Sequence, residues 1–360
     1  MFATPEALPA PINEPGSLSL SPWLSPDGLR LYFTSDRQEG YGSYDLWMVE
    51  RSSTGAEWGP AMNLGPTINT AAPDGLPFLS PDELTLYFGD AHPSAVPGRN
   101  GSITDSQIWI STRPTRQSPW NPPAVVGPPV DTSIEEGTSS LSPDGLSMYF
   151  FRGGNGQSAF FVAQRNSLAE PWLPPTRLPS SVNQAGWNIF PFVTTDDRHL
   201  FFESNRPGGR GVSDLWLATR AAATDPWTNA PVNLGPQVNT SFVESSPWVS
   251  ADFPALGSFL LFARNNSATL EYETSRLFRA EVIPNLTVLR ANSLDQDGRW
   301  TPVTATFTKV SANTIQSEVT LLTTASGAFY RISRADDAGS VHIDSYERVG
   351  IKLRLRYTIQ

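Results

Sequence analysis

Five positions in the chain, Ser19, Asp74, Glu136, Asn188 and Glu244, each stand six residues before the serine or threonine of a short turn motif. The turns read SPDG at 25–28, SPDE at 80–83, SPDG at 142–145, TTDD at 194–197 and a degenerate SADF at 250–253. Three of the five positions are carboxylates and two are neutral, so a repeated placement carries chemistry that does not repeat. Carboxylates gathered at one place can bind a cation, a cationic ligand or an array of sugar hydroxyls. A suitably separated pair could instead divide the acid and nucleophile or base roles of glycosidic-bond cleavage. For that chemistry Glu136 or Glu244 is the acid candidate and Asp74 the base candidate. For plain ligand binding the candidates are Asp74, Glu136, Asn188 and Glu244. Glu135 and the polar series Asn13, Asn69, Asp131, Asn183 and Asn239 are expected to reinforce the same end.

The elements that must position these residues follow from the repeat itself. The turns recur at intervals of 55, 62, 52 and 56 residues. After each comes a short apolar strand, LYF (31–33), LYF (86–88), MYF (148–150), LFF (200–202) and LLF (260–262). A second strand follows a loop, as in DLWMV (45–49) and DLWLA (214–218). A third begins at WGPAMNLG (58–65), WNPPAVVG (120–127), WLPPTRLP (172–179) and WTNAPVNLG (227–235), and runs towards a fourth that ends at the next turn. Four short strands per unit cannot cover both faces of one sheet, whereas stacking the sheets radially covers both and leaves only short edges. That arrangement is a β-propeller.

The N-terminus sets the blade count. FATPEALPAPINEPG (2–16) aligns with the third-strand segments, with Phe2 at the tryptophan position and Asn13 at the Asn69 position. The fifth unit lacks its own such segment, so residues 2–9 are expected to complete the blade begun near residue 243. The fold predicted is all-β: a five-bladed propeller of four-stranded blades over 1–285, closed by the N-terminal strand, and a small C-terminal β domain over 286–360. Asp27, Asp82, Asp144 and Asp196 recur once per blade and read as turn residues. Arg51, Arg113, Arg165 and Arg220 read as ties to loop carbonyls or carboxylates. Trp58, Trp120, Trp172 and Trp227 read as fillers of the wedge between blades, and only Trp187 and Trp300 of the tryptophans stand outside recurrent positions.

SPDGLRLYFTSDR (25–37) with DLWMVER (45–51), SPDGLSMYF (142–150) and FESNRPGGRGVSDLWLATR (202–220) resemble the WD40-like repeats known as PD40. These are shared with the propeller of the periplasmic translocation protein TolB. The resemblance spans about 1–285 and implies the propeller fold. Propellers of this kind bind partners, bind small ligands or carry peptidase domains, so it leaves the function open. The segment LRANSLDQDGRWTPV followed by ASGAFYRI resembles a small accessory β module of bacterial extracellular proteins.

Composition narrows the function classes. A formal charge of −10 speaks against a nucleic-acid partner. Absence of cysteine removes disulfides, thiol catalysis and cysteine-bound metals. No apolar run is long enough for a membrane-spanning helix, so membrane insertion is not expected. GGNG (153–156) and RPGGRG (206–211) lack the lysine and helix of a phosphate loop, and no G-x-S-x-G elbow occurs. No cofactor is expected, although a cation could sit at a channel mouth. Noncatalytic recognition at one propeller face is therefore expected, of an extracellular carbohydrate, a small ligand or another cell-envelope component. The alternatives are a glycoside hydrolase using the mouth carboxylates, or a protein-interaction scaffold. The expected location is secreted or periplasmic, with the targeting segment absent from this sequence.

Overall fold

The computed structural model describes residues 2–90, 106–154, 157–265 and 274–283. It also describes the C-terminal strands at 286–291, 301–303, 305–311, 314–320, 329–334, 341–349 and 352–359. Most of the long loop at 90–107, His92 and Trp300 lie outside the described residues. Five four-stranded antiparallel sheets are the blades. Blade 1 comprises Leu20–Leu24, Arg30–Ser35, Asp45–Glu50 and Met62–Asn63; blade 2 comprises Asp74–Leu79, Thr85–Asp90, Gln107–Thr112 and Ala124–Val125. Blade 3 comprises Glu136–Leu141, Ser147–Gly154, Gln157–Gln164 and Thr176–Arg177; blade 4 comprises Asn188–Val193, His199–Ser204, Asp214–Thr219 and Val232–Asn233. In blade 5 the strands Val243–Val249, Phe259–Asn265 and Arg276–Glu281 are joined by Glu6–Ala7 from the N-terminus.

The closing register is that of the repeat. Glu6 pairs with Arg279 and Ala7 with Phe278, as Trp47 pairs with Asn63 and Met48 with Met62 in blade 1. Leu8 N–H donates to Leu277 O at 2.9 Å, the counterpart of Leu64 N–H on Leu46 O at 3.1 Å. The blade count read from the N-terminal alignment is therefore the observed one.

Burial runs from axis to rim. Counted outward from the inner strand of each blade, second strands such as Arg30–Ser35 and His199–Ser204 are buried on both faces, because a neighbouring blade covers each side. The two-residue outer strands are exposed or half-buried. Between blades 3 and 4 the core gathers Tyr149, Phe151, Phe160, Phe202 and Trp216.

Each inner strand breaks its register at the same place, between Leu20 and Trp23, Gly75 and Phe78, Gly137 and Ser139, Ile189 and Phe192, and Ser245 and Trp248. In blades 1, 2, 4 and 5 the bulged pair is a residue with positive φ followed by proline: Ser21 (52°), Leu76 (61°), Phe190 (54°) and Ser246 (51°). Proline offers no N–H to a ladder, so it fits an inner strand only on the side that faces the axis. The bulges turn rings such as Trp23, Phe78, Phe192 and Trp248 towards a cavity lined also by Ser21, Leu76, Phe190 and Ser246.

The chain divides into two compact units, one of residues 6–253 and 260–279, the other of 1–5, 254–259 and 280–360. In the second, Leu286–Ala291 pairs with Thr301–Val303 and Phe329–Arg334. A further sheet is ordered Ala305–Ser311, Thr314–Thr320, Lys352–Ile359, Val341–Val349. Ala3, Ile283, Phe307, Ile315 and Leu355 form its core. Among the described residues no helix is long and apolar enough to cross a membrane.

Candidate functional site

All five singled-out positions lie at the starts of inner strands, and their side chains turn into the blades. Ser19, Asp74, Glu136, Asn188 and Glu244 are each no more than 1% exposed. Glu136 accepts from Thr132 N–H at 3.0 Å, Thr132 Oγ1 at 2.6 Å and Arg152 Nε at 2.6 Å. Glu244 repeats this with Thr240 N–H at 2.9 Å, Thr240 Oγ1 at 2.6 Å and Arg264 Nε at 2.9 Å. Asp74 accepts from Thr70 N–H at 2.6 Å and Thr70 Oγ1 at 2.9 Å. Asn188 Nδ2 donates to Ser158 O at 2.9 Å and Gln184 O at 2.8 Å, while its Oδ1 accepts from Arg206 Nη2 at 2.6 Å. Each acid thus closes the loop four residues upstream onto its own strand. Such groups fasten the start of the strand and leave few acceptor sites for a ligand.

The partners of these acids were not legible from motif spacing. Arg37, Arg152, Arg206 and Arg264 place a guanidinium at one equivalent point in blades 1, 3, 4 and 5. Their Nη2 atoms donate to Ile12 O (2.9 Å), Val130 O (2.6 Å), Val182 O (2.6 Å) and Val238 O (2.7 Å). Each also lies over a second-strand phenylalanine; Arg37 is 4.8 Å from the Phe33 centroid and Arg206 4.6 Å from that of Phe202. Arg152 and Arg264 come from the second strand itself, but Arg37 and Arg206 come from two residues beyond its last residue. The first pair meets glutamates, and the second pair meets Ser35 and Ser204 hydroxyls at 3.1 Å and 3.0 Å. Burial without a carboxylate partner pulls Arg206 down to about 10.

The polar series has a different task from the one expected. Asn69 accepts Leu46 N–H at 2.9 Å and returns a bond to Leu46 O at 3.0 Å. Asn13, Asn183 and Asn239 do the same to Leu277, Phe160 and Leu215, and Asp131 accepts Ile108 N–H at 3.1 Å. These amides extend the third-strand ladder by one rung and do not line a mouth.

The arginine ties are present, because Nε of Arg51, Arg113, Arg165 and Arg220 donates to Gly28, Glu83, Gly145 and Asp197 carbonyls at 2.7–2.9 Å. The ring centroids of Trp58, Trp120, Trp172 and Trp227 lie 4.2–4.3 Å from those guanidinium carbons. The expected wedge role is seen where Trp172 packs on the core shared by blades 2 and 3 and Trp227 meets Tyr149 of blade 3 edge-on at 6.3 Å. Polar fastening between blades is added at the turn position held by Gly28 and Gly145, which blades 2 and 4 fill with Glu83 and Asp197. The Tyr32 hydroxyl donates to Glu83 Oε2 and that of Tyr149 to Asp197 Oδ1, both at 3.3 Å, across the blade boundary.

Burial raises several acids, Asp197 among them. Burial pushes the Glu244 carboxyl up, against the pull of Thr240 and Arg264. Burial and then the neighbouring Glu136 charge push Glu135 up. Glu203, fully buried in blade 4, is pushed up to about 8 by burial and by Glu244, with Ser213 as its one opposing donor. Among the described residues no three His, Asp or Glu side chains are grouped to hold a metal ion.

No protein-family model matches the sequence, and no curated protein matches it significantly. Similar solved structures include an endo-arabinase from Bacteroides thetaiotaomicron, 13% identical, with a TM-score of 0.52 over 77% of this chain and 98% of that one. A thermostable family-43 glycoside hydrolase is 14% identical, with a TM-score of 0.50 over 84% and 97%. TolB from Acinetobacter baumannii is 15% identical, with a TM-score of only 0.40 over 73% of this chain and 54% of that one. At these identities the likeness is one of fold. The five-bladed propeller is compatible with a carbohydrate-binding or scaffold role and with a glycoside hydrolase. The PD40 resemblance rests on its sequence motifs alone.

Proposed function

We propose that this protein is a noncatalytic recognition module that binds its ligand on the propeller face where the inner strands begin, the ligand being an extracellular carbohydrate. The observation that carries this reading is the closed state of the acids. Glu136 and Glu244 are each held by a threonine N–H, its hydroxyl and an arginine of their own blade. A glycosidase needs two carboxyl groups facing one space about 5–9.5 Å across, whereas Glu136 and Glu244 are fully buried, each facing into its own blade. On this reading Asp74, Glu136, Asn188 and Glu244 shape the mouth and other residues touch the ligand. Secretion or export to the periplasm fits a ligand of that kind.

A glycoside hydrolase is the second reading, favoured by one observation: Glu135 is half-buried at the same face and its carboxyl is pushed up, the state a proton donor needs. Incubation with arabinan, xylan and fructan separates the two. The recognition reading expects no reducing sugar above background. Turnover that is lost in Glu135→Gln, or in both Glu136→Gln and Glu244→Gln while urea midpoints show the variants still folded, would replace it with the hydrolase.

A further inference from the structure

Side chains alternate along a strand, so the residue just before each buried one belongs to the opposite side. The five equivalents are Leu18, Pro73, Glu135, Trp187 and Val243. Leu18 and Val243 are buried apolar residues and Pro73 is half-buried, as a repeating structural role requires. In the adjacent blades 3 and 4 the pattern changes to an acid and an indole, both half-buried. We propose that Glu135 and Trp187, with the amides of Gln157 and Asn205, form a binding site for a ring of a neutral sugar; this rests on the recognition reading above.

Backbone bonds bring the four together. Gly153 N–H donates to Glu135 O at 3.0 Å, Gly153 pairs with Ser158 across its hairpin, and Ser158 N–H donates to Gly186 O at 3.2 Å. The corner before blade 4 is fixed by two amide carbonyls: Asn205 Oδ1 accepts Trp187 N–H at 2.7 Å, and Gln157 Oε1 accepts Gly186 N–H at 3.3 Å. Only glycine fits at 186, where φ is +102° and a Cβ would lie 2.3 Å from Asn205 Oδ1. Blade 1 has the same corner, with Leu18 N–H on Asp36 Oδ1 at 2.7 Å, but there the side chain folds inward. Blade 4 uses that corner to hold an indole at the surface.

The chemistry of the group selects the ligand. Asn205 and Gln157 are exposed, and with their oxygens engaged by backbone N–H groups they are left as NH₂ donors. Glu135 is an acceptor. A sugar hydroxyl both donates and accepts, and the C–H face of a sugar ring is apolar, which suits an aromatic surface. An organic cation would use the indole and Glu135 but neither amide donor. A uronate or phosphorylated sugar would meet the Glu135 carboxylate. A neutral ring uses all four.

The test presents the full chain to immobilised neutral cello-, xylo-, arabino- and chito-oligosaccharides, with uronate-containing glycans and a choline conjugate on the same surface. Binding to a neutral oligosaccharide is expected, weakened at least tenfold by Trp187→Ala and several-fold by Glu135→Gln, with unchanged melting temperatures and partial retention in Trp187→Phe. Should Trp187→Ala fail to fold, Glu135→Gln and Gln157→Ala carry the comparison. Neutral-glycan binding untouched by these substitutions overturns the site but leaves the recognition reading standing. Preference for choline or uronates, or no binding to any probe, overturns the ligand class. Cleavage of the bound oligosaccharide overturns the recognition reading instead.

Discussion

Glu203 offers a quantitative test of how blades 4 and 5 are joined. Its carboxyl is fully buried, Oε1 accepts the Ser213 hydroxyl and, among the described residues, Oε2 has no partner. Ser213 bridges to Val243, and its carbonyl accepts Glu244 N–H at 3.1 Å, so an ionised Glu203 would sit at the blade boundary beside a second carboxylate. The group is pushed from its ordinary 4.5 up to about 8. Because the folded value is raised, its contribution to stability is complete below pH 4.5, declines as pH rises through the interval and is gone above about 8. At about 1.36 kcal/mol for each pH step, the interval sets an upper bound of about 5 kcal/mol, reduced by whatever relaxation admits water. In Glu203→Gln the carbonyl can keep the Ser213 bond while nothing titrates. Urea unfolding followed by tryptophan fluorescence should therefore give similar stabilities for wild type and variant at pH 5. By pH 9 the variant should be ahead by about 2–5 kcal/mol. Parallel stability curves across that range would refute the claim that Glu203 is folded in its neutral form.

Glu136→Gln and Glu244→Gln should each lower stability by about 3–5 kcal/mol, because Arg152 or Arg264 keeps a buried charge without its counter-ion; urea midpoints read this directly. Arg165→Met removes both the stack on Trp172 and the bond to Gly145 O, and about 1–2 kcal/mol should be lost in the same assay. Asn239→Ala leaves Leu215 N–H and C=O without their side-chain partner, with an expected cost of about 1–3 kcal/mol. Hydrogen exchange at Leu215 should accelerate with it.

Much of the fold was legible because turn chemistry is local. Asp27 accepts Leu29 N–H at 3.0 Å and the Ser25 hydroxyl at 2.6 Å, and Asp82, Asp144 and Asp196 do the same in their blades, so the motif marks one corner per blade. The alignment of Phe2 and Asn13 likewise predicted the closing strand, since hydrogen-bond register preserves spacing. What spacing cannot show is direction. The same six-residue offset that identified Asp74, Glu136 and Glu244 is equally consistent with side chains facing a mouth or a blade, and only the bulge beyond them decides it. Nor could the bulges be read: proline inside an apolar strand is ordinarily evidence against a strand, and here it marks the strand that faces the axis.

The guanidinium positions show why residues at equivalent places need not be equivalent in role. Arg152 and Arg264 reach the slot from the second strand, where a glutamate across the sheet balances them. Arg37 and Arg206 reach it from two residues further on, so the vacated strand position becomes Ser35 or Ser204 and the acid opposite becomes Ser19 or Asn188. The identities Ser19, Glu136, Asn188 and Glu244 therefore vary together with the arginine's origin: glutamate where the cation is opposite, a neutral group where it arrives from the loop. In blades 1, 3, 4 and 5 the variation that first suggests a site with nonrepeating chemistry is accounted for by one cation fastened in two ways, whereas Asp74 of blade 2 pairs across the sheet with Asp90. Glu135 and Trp187 have no such compensation. Among the described residues neither change is matched by a partner in the blade, and both side chains are half-buried, which is where residues freed from the repeat can serve a ligand.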